Sequence, residues 1–258
     1  MSAISGIRPT GRLHLGNYIG SILPALKYDA DVLVAQYHAP ESTYTDHKEL
    51  HDQLKRFFDN DKIKMQAIRF NPKLYFDLMA VTPSGLLKHM PQYKEKEKTA
   101  LMFTYPVLMA HDIADYDLVI VGDDQRPHIE LAKDILHKVG RKCPKPIYEG
   151  GRVMDLRDPS SKMSKSDPSS CVFLDDDEET IRNKVKKAVT TPEGLKNLTF
   201  IYRSLSNEVV FEHSVGSHSD DNRDSERIRC TCQDIPSSNA IFKEKLSNRI
   251  IESLYGHK

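Results

Sequence analysis

The sequence predicts an α/β fold: a doubly wound parallel sheet followed by a small, all-helical C-terminal part. Two observations support this fold class. Strand-like and helix-like stretches alternate through the first two thirds of the chain, which is typical of a parallel sheet covered by helices. Beyond residue 170 the periodic stretches are all helical, and a long polar stretch separates the last two of them. We therefore expect an α/β domain at 1–170, which includes a helical insert at about 42–104, and a helical domain at 171–258.

The predicted strands are short apolar runs. The clearest is the run at 118–121, where four large apolar residues stand between Asp117 and Gly122. The run at 31–36 has the β-branched content of a buried strand. Together the predicted strands are Ser2–Ser5, Asp31–Gln36, Gln66–Phe70 and Leu118–Val121.

The predicted helices follow apolar residues at helical spacing, and several begin at capping residues. Pro24 should bend the first helix or end its first part, because proline cannot donate the backbone hydrogen bond of a helix interior. Thr82 and Thr191 each precede a proline and are interpreted as N-caps. The acidic start and lysine-rich end of the helix at 175–189 complement the helix dipole. The predicted helices begin near residues 15, 46, 72, 82, 124, 175, 191 and 239.

Composition excludes several classes of protein. The 258 residues include 37 Lys+Arg and 37 Asp+Glu, and a net charge of zero argues against holding nucleic acid by bulk electrostatics alone. No apolar run approaches the roughly 18 residues of a membrane helix, and residues 1–6 lack the features of a secretion signal. The four cysteines of so long a chain are expected to be reduced thiols. We expect a cytoplasmic protein.

A long polar stretch at 206–238 has no periodicity and is expected to form a loop. It holds His213, His218, Cys230 and Cys232, which could in principle bind zinc. The Cys-x-Cys spacing matches structural zinc sites poorly, so we assign no metal site.

Glycines punctuate the turn after the first strand, in the run GIRPTGRLHLGN at 6–17. Glycine lets a backbone approach a ligand closely, and the N–H groups of a helix start attract phosphate. The alternative is a tight strand-to-helix connection, and the glycines alone do not choose between the two. The placement favours a nucleotide, because doubly wound sheets bind ligands at the carboxyl ends of their strands.

A second motif, SKMSKSD at 161–167, places two lysines three residues apart in a stretch rich in serine, aspartate and proline. Such a loop could bring positive charge to an anion. A charge cluster in a loop is most often solvated surface, and by composition alone that is the better interpretation. The exact order of residues in SKMSKSD, however, is far less common than stretches of similar composition.

HLGN at 14–17 together with KMSKS at 162–166 resembles the paired signatures of the class I aminoacyl-tRNA synthetases. The surrounding residues are similar to the bacterial type of tryptophanyl-tRNA synthetase, nearly collinearly from residue 4 to about 205. The supporting stretches are GIRPTGRLHLGNYIG (6–20), VTPSGLLKHMPQYK (81–94), FTYPVLMAHD (103–112), GDDQRPHIELAKD (122–134) and VMDLRDPSSKMSKSDP (153–168).

The resemblance implies a Rossmann-like catalytic domain that joins tryptophan and ATP into tryptophanyl-adenylate and transfers the aminoacyl group to tRNA(Trp). It further implies Mg²⁺, held with ATP by phosphates and water, and a homodimer whose contact includes the segment 81–94. By the family's pattern, the catalytic residues would be His14, Asn17, Lys162 and Lys165. The ATP-binding residues would be Arg8, Pro9, Thr10, Gly16, Asn17, Gly122, Asp123, Asp124, Val153, Lys162, Met163, Ser164, Lys165 and Ser166.

The same pattern assigns the tryptophan pocket to His38, Tyr105, Met109, Asp112 and Gln125. Asp112 matches the carboxylate that accepts the indole N–H, a group that can only donate. An amino acid without that N–H would leave a buried acceptor unpaired and would be rejected. The sequence departs from the pattern at His111, where a small residue is usual, and at Arg8, where many members carry glutamine.

Two other functions stay open at this point. A tyrosine-specific synthetase shares the fold, but NYIG at 17–20 and PVLMAHD at 106–112 disfavour it. A synthetase-derived binding protein that has lost tRNA charging is favoured by the short C-terminal region and disfavoured by the intact signature lysines and Asp112. The short region also predicts that tRNA recognition depends on the acceptor stem or is weak.

Overall fold

The computed structural model describes residues 1–39, 46–91, 93, 99–206 and 238–256. The chain divides into two compact units, which are described separately. Unit 1 comprises Met1–Val153 and Phe173–Asp175, and unit 2 comprises Met154–Val172 and the residues from Asp176 onward. Nearly all of the predicted loop at 206–238, with its candidate zinc ligands, lies outside the described residues.

Unit 1 is built on a parallel sheet. Its strands are β1 (Ala3–Ile7), β2 (Asp31–Val34), β3 (Ile63–Met65), β4 (Leu118–Val121) and β5 (Lys145–Tyr148). All neighbours pair in parallel, in the order β3-β2-β1-β4-β5. Because the order reverses at β1, the sheet is doubly wound, and the predicted fold class is confirmed.

Helices connect the strands and continue beyond them. In unit 1 they are α1 (Leu15–Asn17), α2 (Leu23–Lys27), α3 (His47–Leu54), α4 (Gln66–Arg69), α5 (Pro72–Val81), α6 (Ser84–His89), α7 (Ala100–Ile113) and α8 (Arg126–Lys138). In unit 2 they are α9 (Glu178–Lys186), α10 (Pro192–Leu205) and α11 (Asn239–Tyr255). Short 3-10 turns at Gln36–His38 and Asp123–Gln125 follow β2 and β4.

A π-helical turn, Tyr18–Ile22, separates α1 from α2 within the first predicted helix. The N–H of Leu23 donates to the carbonyl of Tyr18, five residues back. The next residue, Pro24, has no N–H to continue a regular ladder. The change of helical register therefore coincides with the proline that the sequence marks as an interruption.

Side chains alternate across the sheet, so its two faces pack against different helices. Ile4 and Leu33 belong to a core shared with α5, α7 and α8. Val32 and Val34 point to the opposite face and are fully buried, and α3 contacts β2. Both faces of the sheet thus pack against helices, and doubly wound sheets bind ligands at the carboxyl ends of their strands.

Two predicted elements were wrong in detail. The predicted strand Gln66–Phe70 is the short helix α4, and the strand β3 precedes it. Gln66 is fully buried and its side-chain oxygen accepts the N–H of Tyr37, a tertiary contact that periodicity does not reveal. Thr82 is not an N-cap, because its hydroxyl donates to the carbonyl of Leu78 at the end of α5.

Unit 2 contains helices and loops in its described part, so the predicted helical C-terminal region is present. Asp177 and Thr191 cap α9 and α10 by accepting backbone N–H groups. Phe242, Leu246 and Ile250 of α11 are buried, where α11 contacts both other helices. None of the helices in the described ranges is long and apolar enough to cross a membrane.

Candidate active site

The predicted site residues of unit 1 gather where the strands end. The carboxyl ends of β1 and β4 are adjacent, and the chain leaves them in opposite directions along the sheet. Such a point in a doubly wound sheet forms a crevice between two loops. The loop after β1 leads to His14, and the loop after β4 begins at Gly122.

His14 is the N-cap of α1 and makes a reciprocal capping box with Asn17. Its Nδ1 accepts the N–H of Gly16 at 3.1 Å, and its own backbone N–H donates to Oδ1 of Asn17 at 3.1 Å. Since Nδ1 acts as an acceptor, the proton of the neutral ring is on Nε2. A Cβ at Gly16 would lie 2.8 Å from Cε1 of His14 and 3.8 Å from Cβ of Val153. A side chain at position 16 would therefore displace the His14 ring from this cap, and Val153 is the next neighbour.

A distant segment of the chain completes the turn before α1. Phe173–Asp175 belongs to unit 1, and the N–H of Leu174 donates to the carbonyl of Leu13. Nη2 of Arg12 lies 2.6 Å from Oδ1 of Asp175, and its guanidinium stacks 4.0 Å from the centroid of the Phe173 ring. Sequence reasoning missed this segment, because nothing local connects it to a turn more than 150 residues earlier.

The turn after β4 exposes two carboxylates. Oδ1 of Asp123 accepts Nε of Arg126 at 2.6 Å, and Asp124 is exposed. A Cβ at Gly122 would lie 2.8 Å from Oδ1 of Asp124, so glycine lets this turn fold back closely. Exposed carboxylates at a strand end are suited to accept hydrogen bonds from ribose hydroxyls.

The loop after β5 also approaches the first helix closely. Gly150 has φ +82, and a Cβ there would lie 2.7 Å from the carbonyl oxygen of Gly20. Only glycine fits both requirements. The preceding Glu149 is buried and accepts hydrogen bonds from Lys27, at 2.8 Å, and from Tyr28. These contacts tie the β5 loop to α2 and its π-helical turn.

Asp112 lies near the end of α7, and its buried carboxylate receives three donors. Oδ2 is 2.8 Å from Nε2 of His38 and 2.6 Å from Nε2 of Gln66. Oδ1 is 3.0 Å from Nδ1 of His111. Burial raises the pKa of Asp112, but the hydrogen bonds from His111, His38 and Gln66 outweigh it and hold the pKa below its usual value. The carboxylate is therefore ionised at neutral pH.

The donor role of His111 follows from its other ring nitrogen. The backbone N–H of Asn71 donates to Nε2 of His111 at 3.0 Å. A nitrogen that accepts carries no proton in the neutral ring, so the proton is on Nδ1 and points to Asp112. Asn71 is also the N-cap of α5 and accepts the N–H of Leu74. His111 thus joins the carboxylate to the start of α5.

His38 and His128 both pack edge-on against Tyr105, with ring centroids 4.4 Å and 5.9 Å away. Three buried nitrogens here have no hydrogen-bond partner among the described residues: Nδ1 of His38 and both ring nitrogens of His128. Burial lowers the pKa of His128 to about 4, although Asp124 opposes the shift. His128 was not predicted, although its position three residues after Gln125 could have suggested it.

The remaining pocket residues share one helix or turn. Tyr105, Met109 and Asp112 lie on α7 at a spacing that places them on one face, and the first two are half-buried. Gln125 is half-buried at the end of the turn after β4. At the end of β1, Arg8 is exposed, Pro9 is buried, and the N–H of Thr10 donates to the carbonyl of Arg8.

A depression of about 590 Å³ lies at the C-terminal end of α8 and contains none of the predicted site residues. It is lined by Lys133, Asp134, His137, Lys138, Arg141, Lys142 and Cys143. We place the candidate site at the strand ends, because the buried ionised and neutral polar groups of unit 1 converge there and not on this exposed basic surface.

The signature segment 162–166 lies in unit 2, in a loop organised by aspartates. Oδ1 of Asp155 accepts the N–H groups of Arg157 and Asp158, and Oδ2 accepts the hydroxyl of Ser170. These bonds close the two ends of the loop on each other. Within it, Met163 is buried; Lys162 and Ser166 are exposed; Ser164 and Lys165 are half-buried.

The lysines at the end of α9 have different surroundings. Lys184 is mostly buried, and its Nζ lies 2.6 Å from Oδ2 of Asp176 and 2.8 Å from the carbonyl of Cys171. Lys186 and Lys187 are exposed. Lys184 is thus a structural residue of unit 2.

Comparison with known proteins gives a consistent set of relatives. The profile of the family described as tRNA synthetases class I (W and Y) matches residues 1–255. Tryptophan–tRNA ligase of Rickettsia felis is 38% identical over 251 residues, which cover 80% of this chain and 76% of that protein.

Two solved structures are similar throughout. Tryptophanyl-tRNA synthetase from Mycoplasma pneumoniae aligns with a TM-score of 0.73 and 27% identity, over 99% of this chain and 86% of that one. The enzyme from Campylobacter jejuni, solved with ADP and tryptophan, aligns with a TM-score of 0.67 and 24% identity, over 100% of this chain and 87% of that one. The second likeness supports the fold alone.

Proposed function

The chain belongs to the class I tRNA synthetases for tryptophan and tyrosine, and from this premise we propose that it is a tryptophan–tRNA ligase. It uses ATP to activate L-tryptophan as tryptophanyl-adenylate and transfers the aminoacyl group to tRNA(Trp). The observation that carries the choice of amino acid is the buried, ionised Asp112 with its three donors. The relative from Rickettsia felis is a tryptophan–tRNA ligase by name, which supports the same choice of amino acid.

Asp112 selects the indole through its less occupied oxygen. An ionised carboxylate offers about four acceptor positions. Oδ2 already receives His38 and Gln66, whereas Oδ1 receives only His111 among the described residues. The indole N–H donates to Oδ1. Phenylalanine has no such donor and leaves that position unpaired, which disfavours its binding.

ATP binds at the strand ends beside α1. Arg8, Pro9 and Thr10 line the approach; Gly16 and Val153 let the nucleotide lie close to the backbone. Gly122, Asp123 and Asp124 receive the ribose. His14 lies beside the adenylate, and the capping box with Asn17 holds its ring in place.

In the activation step the carboxylate of tryptophan attacks the α-phosphorus, an O–P bond forms, and the bond to the β-phosphate oxygen breaks to release pyrophosphate. The reaction needs positioning and charge stabilisation more than covalent help from the protein. Lys162 and Lys165 of the signature segment 162–166 are the cations that stabilise the charge on the leaving pyrophosphate. Lysine suits this role as a compact charge on a flexible stem.

Mg²⁺ bound with ATP would neutralise part of the charge of the triphosphate. No three His, Cys, Asp or Glu side chains in the described part of the chain converge as metal ligands. We therefore assign the ion to phosphate oxygens and water, which suits its preference for keeping bound water.

A homodimer would cover the exposed apolar side chains of the predicted insert. Ile68, Phe76 and Leu86 expose 83%, 65% and 41% of their surface. They lie on α4, α5 and α6, which follow one another along the chain. Large exposed apolar side chains become more favourable when an interface buries them. The cytosol remains our predicted compartment.

Amino-acid-dependent exchange of pyrophosphate into ATP tests the assignment. Exchange that depends on tryptophan, followed by charging of tRNA(Trp), is the expected result. Exchange with tyrosine alone would identify a tyrosine-specific enzyme, and exchange with neither would identify a synthetase-derived protein that has lost the reaction.

A further inference from the structure

Resting on the proposed function, we infer that His111 is a positioning residue for tryptophan selection: it aims Oδ1 of Asp112 by linking that oxygen to the backbone at the start of α5. The link has two hydrogen bonds, from Asn71 N–H to Nε2 and from Nδ1–H to Asp112, both 3.0 Å long. His111 does not touch the substrate. It acts through Asp112.

The two bonds depend on each other. Because the Asn71 N–H points at Nε2, the neutral ring can carry its proton only on Nδ1. The proton on Nδ1 then donates to Asp112. A fixed backbone donor therefore determines which atom of a side chain on α7 points at the carboxylate. An alanine at position 111 would remove both bonds and leave the buried oxygen with no donor from this side.

The ring of His111 is held by packing as well as by hydrogen bonds. It is 7% exposed, and its centroid lies 4.8 Å from that of Phe70 and 6.3 Å from that of Tyr75. Phe70 and Asn71 are consecutive residues before α5. One short segment thus supplies both the backbone donor and an aromatic wall.

Charged groups also face the pair from outside. His111 and Asp112 border a small cavity of about 150 Å³, which is also lined by Arg69, Asp115 and Arg141 among others. Nη1 of Arg141 pairs with Asp115 at 3.0 Å. On the other oxygen, His38 and Gln66 are the donors. Nη1 of Arg69 donates to the hydroxyl of Tyr116, so each arginine has a partner other than Asp112, and the donor to Oδ1 among the described residues is His111.

Two variants separate the halves of the link. In His111→Asn the side-chain amide nitrogen can occupy the position of Nδ1 and still donate to Asp112, while the acceptor for Asn71 is lost. In His111→Gln the amide lies one methylene farther from the backbone. Its oxygen can replace Nε2 as the acceptor for Asn71, but its nitrogen cannot replace Nδ1 as the donor to Asp112. His111→Ala removes both, and His137→Asn, at an exposed position of α8, is the control.

The measurement is KM for tryptophan in pyrophosphate exchange, across pH, with KM for ATP and melting temperature alongside. We expect His111→Gln and His111→Ala to raise KM for tryptophan about tenfold or more, because a hydrogen bond to a charged group is lost. Removing that donor also raises the pKa of Asp112, so the rise of KM in acid begins at higher pH. His111→Asn keeps the donor to Asp112 but loses the link to Asn71, so its KM for tryptophan should rise less than in those two variants, with a pH profile near that of the parent protein.

The inference would be overturned if the three His111 variants had the same KM for tryptophan as the control and differed from it only by a lower melting temperature. His111 would then contribute to stability alone. A higher KM in His111→Asn, equal to that of the other two, would also overturn it. Failure of the proposed function is a separate result, because the parent protein would then show no tryptophan-dependent exchange at all.

Discussion

His14 and Gly16 hold each other in place at the start of α1: the glycine N–H donates to Nδ1 of the imidazole at 3.1 Å, and any Cβ on the glycine would lie 2.8 Å from Cε1. The cap therefore does two things with one contact. It satisfies a free N–H of the first turn, and it places the proton of the neutral ring on Nε2.

Gly16→Ala should displace the His14 ring, because the added methyl group and the ring cannot both occupy the present positions. We expect a loss of about 1 kcal/mol in unfolding free energy, as for other lost caps, and a fall of about 100-fold in pyrophosphate exchange. Chemical denaturation and exchange kinetics measure the two effects. Gly20→Ala is the control, since nothing lies within 4 Å of its added Cβ; equal behaviour of both variants would contradict the cap's role.

Asp112→Asn should impair both folding and selection. The asparagine would point an N–H₂ group at one of the three donors that now meet a carboxylate, and a buried unsatisfied group costs about 1–3 kcal/mol. Thermal melting should detect this loss, and the ratio of exchange with tryptophan to exchange with phenylalanine should fall. Asp115→Asn, next to an exposed arginine, is the control. An unchanged ratio would remove Asp112 from the pocket.

Lys165→Ala should depress adenylate formation far more than tryptophan binding. A cation that contacts only the transferring phosphates contributes about 100- to 1,000-fold in rate. Binding can be followed by indole fluorescence, because the chain contains no tryptophan of its own. Lys196→Ala, an exposed lysine of α10, should change neither. Equal losses of rate and affinity in Lys165→Ala would show that the loop is only structural.

His128→Phe should stabilise the protein in mildly acidic solution. Burial lowers the pKa of His128 to about 4, so the unfolded chain takes up a proton between about pH 6.5 and pH 4 while the folded chain does not. Above pH 6.5 the titration of His128 leaves the free energy of unfolding unchanged. As the pH drops from 6.5 to 4, it lowers the free energy of unfolding by up to about 3 kcal/mol.

Phenylalanine removes this pH dependence together with two unpartnered buried nitrogens. Urea unfolding at pH 7 and pH 5 measures the difference between the parent protein and the variant. His137→Phe, at an exposed position of the same helix, controls for a general effect of the substitution. A gap between parent and variant that is the same at both pH values would contradict the shifted titration.

Phe76→Glu should convert the proposed homodimer into monomers. Phe76 is 65% exposed, and a charge introduced there would be costly to bury in the proposed dimer contact. Light scattering after size-exclusion chromatography measures the mass. Ile241→Glu, at a 51% exposed position of unit 2, should leave the dimer intact. A monomeric parent protein would reject the proposed interface.

Local patterns were enough to determine the class of fold and the place of the main motifs. The apolar run at 118–121 became β4 unchanged, and the prolines after Asn71 and Thr191 marked true helix starts. Such signals survive because caps and buried strands depend on neighbours a few residues away. The family signature at 14–17 lies at the start of α1 for the same reason.

Tertiary structure decided the contacts that make these motifs into a candidate site. The segment Phe173–Asp175 hydrogen-bonds to the turn at Leu13. Gln66, which was predicted to lie in a strand, donates to Asp112. The tautomer of His111 is set by the backbone N–H of Asn71. None of these contacts has a local signal, because each joins side chains or segments that the sequence separates and only the packed sheet and helices bring together. The sequence by itself determined the class of fold and predicted the residues of the site; the folded chain determined which of their atoms are paired, because those pairings are tertiary contacts.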